Sequence, residues 1–228
     1  MARLNVIVEG ETEEAFWNSV LVPHLANFNV FASAQRVVTN RKLAMKGGVV
    51  NYEKAKNHIL RWLKQERGND VFLTTMFDVY GLPSTFPSYE SSRQIAVPHQ
   101  RVLHLEQAFQ ADINDRRFVP HLQLHEFETI LFCDPSRLAD FYFSHSKQIE
   151  ELIAISTQFV NPEHINDGET TAPSKRIANV FERYESEKTL VGSQTAAAIG
   201  LPLIRDKCPH FNNWICRLES LGGAAVPQ

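Results

Sequence analysis

Five carboxylates stand where chemistry would need them: Glu9, Glu13, Asp78, Glu126 and Glu128. Glu9 ends the apolar run "LNVIV" just before Gly10, Asp78 ends "VFLTTMF", and Glu126 and Glu128 follow "FVPHLQLH". Glu13 comes four residues after Glu9, about one helical turn beyond the glycine, and can reach the same point in space. Carboxylates brought together repel one another unless a cation lies among them, and hard divalent ions such as magnesium or manganese take all-oxygen ligands. The chemistry to expect is metal-assisted hydrolysis, in which the ion polarises a phosphoryl group and acidifies an attacking water. Each acid also has a plain structural reading. Glu11 and Glu14 read as first-turn charges facing the helix dipole, worth roughly 0.3–1 kcal/mol each. Asp78 could simply open a turn, and Glu128 could sit on a solvated helix face.

These acids matter only if the chain brings them to one place. Residues 3–9 and 70–78 read as short, β-branched strands buried on both faces, 30–38 as a third strand, and 118–125 as a fourth whose Pro120 marks its entry. Helices are expected over 12–26, with Pro23 as a kink, over 51–66 and over 99–111. "EFETILF" opens a further helix. The alternation of strand and helix predicts an α/β fold: a mostly parallel sheet of about four strands sandwiched by helices. In such a sheet, ligands gather at the carboxyl ends of the strands, where Glu9 and Asp78 fall. Beyond residue 135 the strand signal fades, and helices are expected over 136–158, 173–186 and 211–221. The chain thus reads as an α/β core over 1–135, a helical part over 136–221 packed on it, and a flexible tail over 222–228.

Charge is unevenly spread. The net charge is −3, which argues against a generally basic coat, yet residues 36–67 hold nine lysines and arginines against two acids. Residues 1–35 hold four acids and one base. An acidic focus beside a basic segment suits a metal-dependent enzyme acting on a polyanion; two solvated faces of opposite sign would look the same. Lys46, before Gly47 and Gly48, is placed to approach a phosphate as a catalytic or binding cation. "PSKRI" sets Lys175 and Arg176 at a helix start, a second candidate anion site. His125 could ligate metal or act as an acid, or could be structural. Cys208, His210 and Cys216 in "CPHFNNWIC" invite a zinc reading, but no fourth ligand stands at a suitable spacing. No Walker or GxGxxG stretch is present, so any ATPase activity must come from a partner. Three cysteines make no even disulfide framework, and no apolar stretch is long enough for a membrane span or a secretory leader. A cytoplasmic protein is expected.

"VEGETEE" after an apolar strand resembles the first motif of TOPRIM domains, found in topoisomerases, primases and OLD-type nucleases. The resemblance implies acid–base or metal chemistry for Glu9 and, as in OLD-type members, a metal role for Glu13. "FDVYG" is similar to the second motif, Asp-x-Asp: Asp78 matches its first aspartate, while Tyr80 stands in place of the second. Glu126 or Glu128 of "LHEFETILF" could supply the missing ligand. With "DVYGLP", "APSKRI" and "CPHFNNWI", the whole chain resembles a bacterial family of unknown function with a TOPRIM-like core, often encoded beside AAA-type ATPases. That resemblance implies a TOPRIM or Rossmann-like fold and a magnesium- or manganese-dependent nuclease acting on DNA or RNA with a partner ATPase in phage defence. The alternatives are a non-catalytic adaptor or sensor subunit of an ATPase complex, which Tyr80 favours, or phosphoryl transfer on a small nucleotide.

Overall fold

The computed structural model describes residues 1–37, 51–165, 168 and 170–223. Strand β1 (Ala2–Val8) takes the apolar run expected of it. Its alternate residues Leu4, Val6 and Val8 enter one core, while Ile7 enters another on the opposite face. β2 (Val30–Arg36) and β3 (Val71–Asp78) pair with it on either side, both parallel. The sheet order is β2-β1-β3-β4, with β5 also paired to β3. This is an α/β, Rossmann-like arrangement, as the alternation of elements predicts.

Between β1 and β2 the chain forms one helical rod: α1 (Glu11–Phe16), a π-helical stretch Trp17–Leu21, and α2 (Val22–Ala26). Pro23 has no N–H for the helix ladder and crowds the preceding turn, and the wider π turn just before it takes up the strain. α3 (Tyr52–Gln65) starts on Asn51, whose side chain accepts the Lys54 N–H at 3.1 Å. It lays Tyr52, Ala55, Ile59 and Leu63 on the sheet. A short α4 (Tyr89–Ser92) and then α5 (Pro98–Ile113) follow β3 and cover the same face.

The fourth strand is not continuous over 118–125. It splits into β4 (Phe118–Val119) and β5 (Leu122–Gln123), both parallel to β3. Pro120 lacks a ladder donor, and Thr75 of β3 covers the gap with its side chain. Its Oγ1 donates to the His121 carbonyl at 3.0 Å and accepts the His121 N–H at 3.2 Å. The expected helix at "EFETILF" is a 3-10 helix, Phe127–Cys133. Another 3-10 stretch, Pro135–Asp140, and α6 (Ser146–Ser156) replace the single helix expected over 136–158. The helix expected over 173–186 breaks into α7 (Pro173–Val180) and α8 (Tyr184–Ile199). α9 (Leu201–Lys207) and α10 (Pro209–Ser220) complete the described chain.

The C-terminal helices form the second layer of the sandwich. Leu4, Val6 and Val8 of β1 share one buried cluster with Tyr184, Val191 and Ala196 of α8 and with Phe211 and Trp214 of α10. The opposite core holds Ile7, Phe77 and the inner faces of α3 and α5. Among the described residues no helix is long and apolar enough to cross a membrane.

Candidate active site

β1 hands the chain to α1 on one face of the sheet, whereas β3 hands it to α5 on the other. The order β2-β1-β3-β4 therefore reverses direction between β1 and β3, and the crevice at their carboxyl ends is the switch point where such sheets bind ligands. Glu9 leaves β1 there and Asp78 closes β3 beside it; the Asp78 N–H donates to Glu9 Oε1 at 2.8 Å. Glu13 is buried in the first turn of α1. Gly10 leaves it room, since a Cβ at that position would stand 2.9 Å from Glu13 Oε2 and push that carboxylate aside. Glu126 and Glu128, both buried, arrive from the turn after β5.

Each of these turns is fixed by a specific device. His125 takes a left-handed backbone (φ 62°) that few side chains favour, and this swings the next residue out of the strand. Its ring nitrogen Nε2 lies 3.1 Å from the Glu163 carbonyl oxygen, and its own carbonyl accepts the Tyr80 N–H at 2.9 Å. Glu126 then meets the start of α7, where the Ser174 N–H donates to Oε1 and the Ser174 hydroxyl to Oε2 at 3.0 Å. Glu128 accepts the buried Tyr184 hydroxyl of α8 at 3.1 Å. Tyr184 is brought there because α8 packs closely on α1 at Gly192, where a Cβ would lie 3.1 Å from Thr12 and 3.3 Å from the Tyr184 oxygen.

The electrostatics show that these groups share one field. Burial, and then Glu9, Glu13, Glu126 and Glu128 in turn, hold the Asp78 carboxyl well above its ordinary range. Asp78 Oδ1 is closed off from solvent and has no hydrogen-bond partner among the described residues. Burial also raises Glu13, helped by Glu128 and opposed by backbone N–H groups and Lys188. Burial and Glu128 push Glu126 up to about 7 despite the Ser174 donors. Among the described residues, Lys188 faces several of these acids. Burial alone would lower Lys188, but Glu128, Asp78 and Glu13 outweigh it and raise its pKa.

The structure thus brings Glu9, Glu13, Asp78, Glu126 and Glu128 into one neighbourhood. Glu11 and Glu14 face elsewhere, both paired with Arg36 at 2.7 and 3.0 Å. Tyr80 is exposed and contributes no carboxylate. Lys175 pairs with Glu185 at 2.8 Å and lies near enough to Glu126 to feel its charge. The anion held at the start of α7 is Glu126 itself. Arg176 donates to the Thr171 carbonyl at 2.6 Å and lies over the Phe159 ring. Lys46 lies outside the described residues. Cys208, His210 and Cys216 diverge: Cys208 faces Cys133 at 3.5 Å, Cys216 faces Arg205 at 3.2 Å, and His210 turns to Glu106 at 3.1 Å. Three residues escaped the sequence reading. Lys188 and Tyr184 lie on a helix with no apolar stripe, and Ser174 was visible only as a helix start.

An all-oxygen donor set with an orphaned Asp78 oxygen fits a hard divalent ion. The acids stand more openly than a closed cage, however. Among the described residues, three candidate ligands whose atoms all lie within 4.8 Å of one another occur elsewhere, at Glu106, His121 and His210. Along α3, a groove of about 640 Å³ is lined by Lys54, His58, Arg61 and Trp62, with none of the five acids in it. A family model described as a domain of unknown function, DUF4276, matches residues 8–219. No curated protein and no solved structure matches the chain.

Proposed function

The chain belongs to the DUF4276 family, and from its site we propose a divalent-metal-dependent phosphodiesterase, a nuclease acting on DNA or RNA. The observation that carries this reading is that four other carboxylates, Glu9, Glu13, Glu126 and Glu128, lie close enough to Asp78 to raise its pKa, at the switch point of a parallel sheet. Glu9, Asp78 and Glu126 or Glu128 would hold magnesium or manganese, with Glu13 binding or positioning a second ion. When bound, the ion supplies charge neutralisation at a phosphoryl oxygen and a more acidic attacking water. The chain's own residues hold the acids still. Asp78 N–H fixes Glu9, Ser174 fixes Glu126, and Tyr184 fixes Glu128, so little reorganisation is left at the moment of reaction. Lys188 offers an ammonium for the non-reacting phosphate oxygens at the exposed side of the cluster. The basic residues along α3 support a polyanionic substrate over a small nucleotide.

An AAA-type ATPase partner and a place in phage defence rest on the resemblance to a bacterial family with a TOPRIM-like core, and a cytoplasmic setting on the three cysteines and the lack of a long apolar stretch. A second reading, a non-catalytic adaptor, draws on two observations: Tyr80 in place of an acid, and Lys188 standing among the carboxylates. Cleavage of labelled single- and double-stranded DNA and RNA with manganese, magnesium or chelator separates the two. Glu9→Gln and Asp78→Asn keep the side-chain shapes. Each is expected to lower metal-dependent cleavage about 100-fold, and undiminished cleavage in both variants overturns the assignment. Specific manganese binding without turnover on any of these substrates would favour the adaptor.

A further inference from the structure

Outside the acidic crevice, one buried cluster has the donors of a softer ion. Glu106 of α5, His121 of the break between β4 and β5, and His210 of α10 are all buried and bring their ligand atoms within 4.8 Å of one another. Glu106 Oε1 lies 3.1 Å from His210 Nε2 and 3.5 Å from His121 Nδ1. Ligand atoms about 2.1 Å from a tetrahedral ion stand about 3.4 Å apart, so the two distances from Glu106 are close to the edges of such a shell. Without an ion, His210 Nε2 also lies within hydrogen-bond distance of the Leu122 carbonyl oxygen, at 3.2 Å, a contact that an ion would replace.

His121 is the second, independent sign. It is 1% exposed, and among the described residues neither ring nitrogen makes a direct hydrogen bond of good geometry, although the Gln123 side chain lies close enough to act on the ring. A buried imidazole without such bonds is costly, and a metal would satisfy the nitrogen that faces Glu106. The ring is held flat against Trp214, 3.9 Å between centroids, so stacking fixes its direction. The Leu122 N–H donates to Glu106 Oε1 at 2.8 Å and orients that carboxylate, as the supporting donors of metal ligands do.

We propose that Glu106, His121 and His210 form a structural site for one zinc-class divalent ion, which ties α5 and α10 to the interrupted fourth strand. Mixed nitrogen and oxygen donors select zinc or cobalt over magnesium. Its burial keeps substrate out, so its work is to hold the fold that carries the acidic crevice.

The full chain, stripped with chelator and dialysed against zinc, should retain one equivalent by elemental analysis and melt at a higher temperature than the stripped form. Cobalt in its place should give the visible bands of a tetrahedral site. His121→Gln and His210→Gln should each retain less than about a tenth of an equivalent, whereas Glu9→Gln and Asp78→Asn should retain the full amount. The latter pair separates this site from the acidic one, so loss of nuclease activity and loss of zinc are distinguishable. Wild-type chain that keeps no zinc and shows no cobalt bands overturns the proposal, whatever the folding of the variants. Full retention by both histidine variants does the same.

Discussion

Glu126 is the residue at which a proton and a cation compete. Its carboxyl rises from 4.5 to about 7 because it is buried beside Glu128. A folded-state pKa above the unfolded one means the folded chain binds the extra proton, so this contribution to stability is complete below about 4.5 and lost as pH rises through about 7. Asp78 and Glu13, raised for the same reason, act in the same direction. Without divalent ions, Tm is therefore expected to fall between about pH 5 and 8. Manganese should restore it most at the alkaline end, where the carboxylates are free of protons, and its binding should release protons into a weakly buffered solution. Glu126→Gln should flatten the Tm profile; an unchanged slope in that variant would remove Glu126 as its source. Asp78→Asn should raise the metal-free stability by roughly 0.5–2 kcal/mol, since it relieves repulsion that serves only an ion.

At the scale of elements, β1 and β3 were legible because a strand buried on both faces must be apolar almost throughout, and a carboxylate at its end is conspicuous. Glu9 and Asp78 follow from that rule alone. Glu126 and Glu128 were legible as candidates, but the means of their arrival was not: it depends on the left-handed backbone at His125 and on Ser174, 48 residues later. The break in the fourth strand is not legible from Pro120 alone, because a proline fits a strand entry equally well; it leaves a gap that Thr75 fills from the neighbouring strand. α8 was missed beyond its first residues. Its buried positions Val191, Gly192, Ser193, Thr195 and Ala196 are small or polar and spread over a broad face, so no apolar stripe marks it. Lys188 was lost with it. The Glu106, His121 and His210 cluster joins residues up to 104 positions apart, a separation at which spacing carries no signal.

At the scale of the molecule, the sheet has two faces of different origin: α3 and α5 cover one, and α1 with the C-terminal helices covers the other. A chain ended at residue 135 would expose Leu4, Val6, Val8, Phe16 and Trp17 together, an apolar surface no small domain can leave to water. It is expected to be insoluble, or to melt without a cooperative transition in calorimetry. A sharp, reversible transition would show instead that the first 135 residues fold alone. The same layering has an optical consequence. Trp214 lies flat on His121, edge-on to Trp17, and bonded through Nε1 to Thr74. Indole emission is quenched by a protonated imidazole against its face and responds to a change in that ring's charge. The protein therefore carries its own lamp beside the histidine, and the brightness of Trp214 reads what His121 holds.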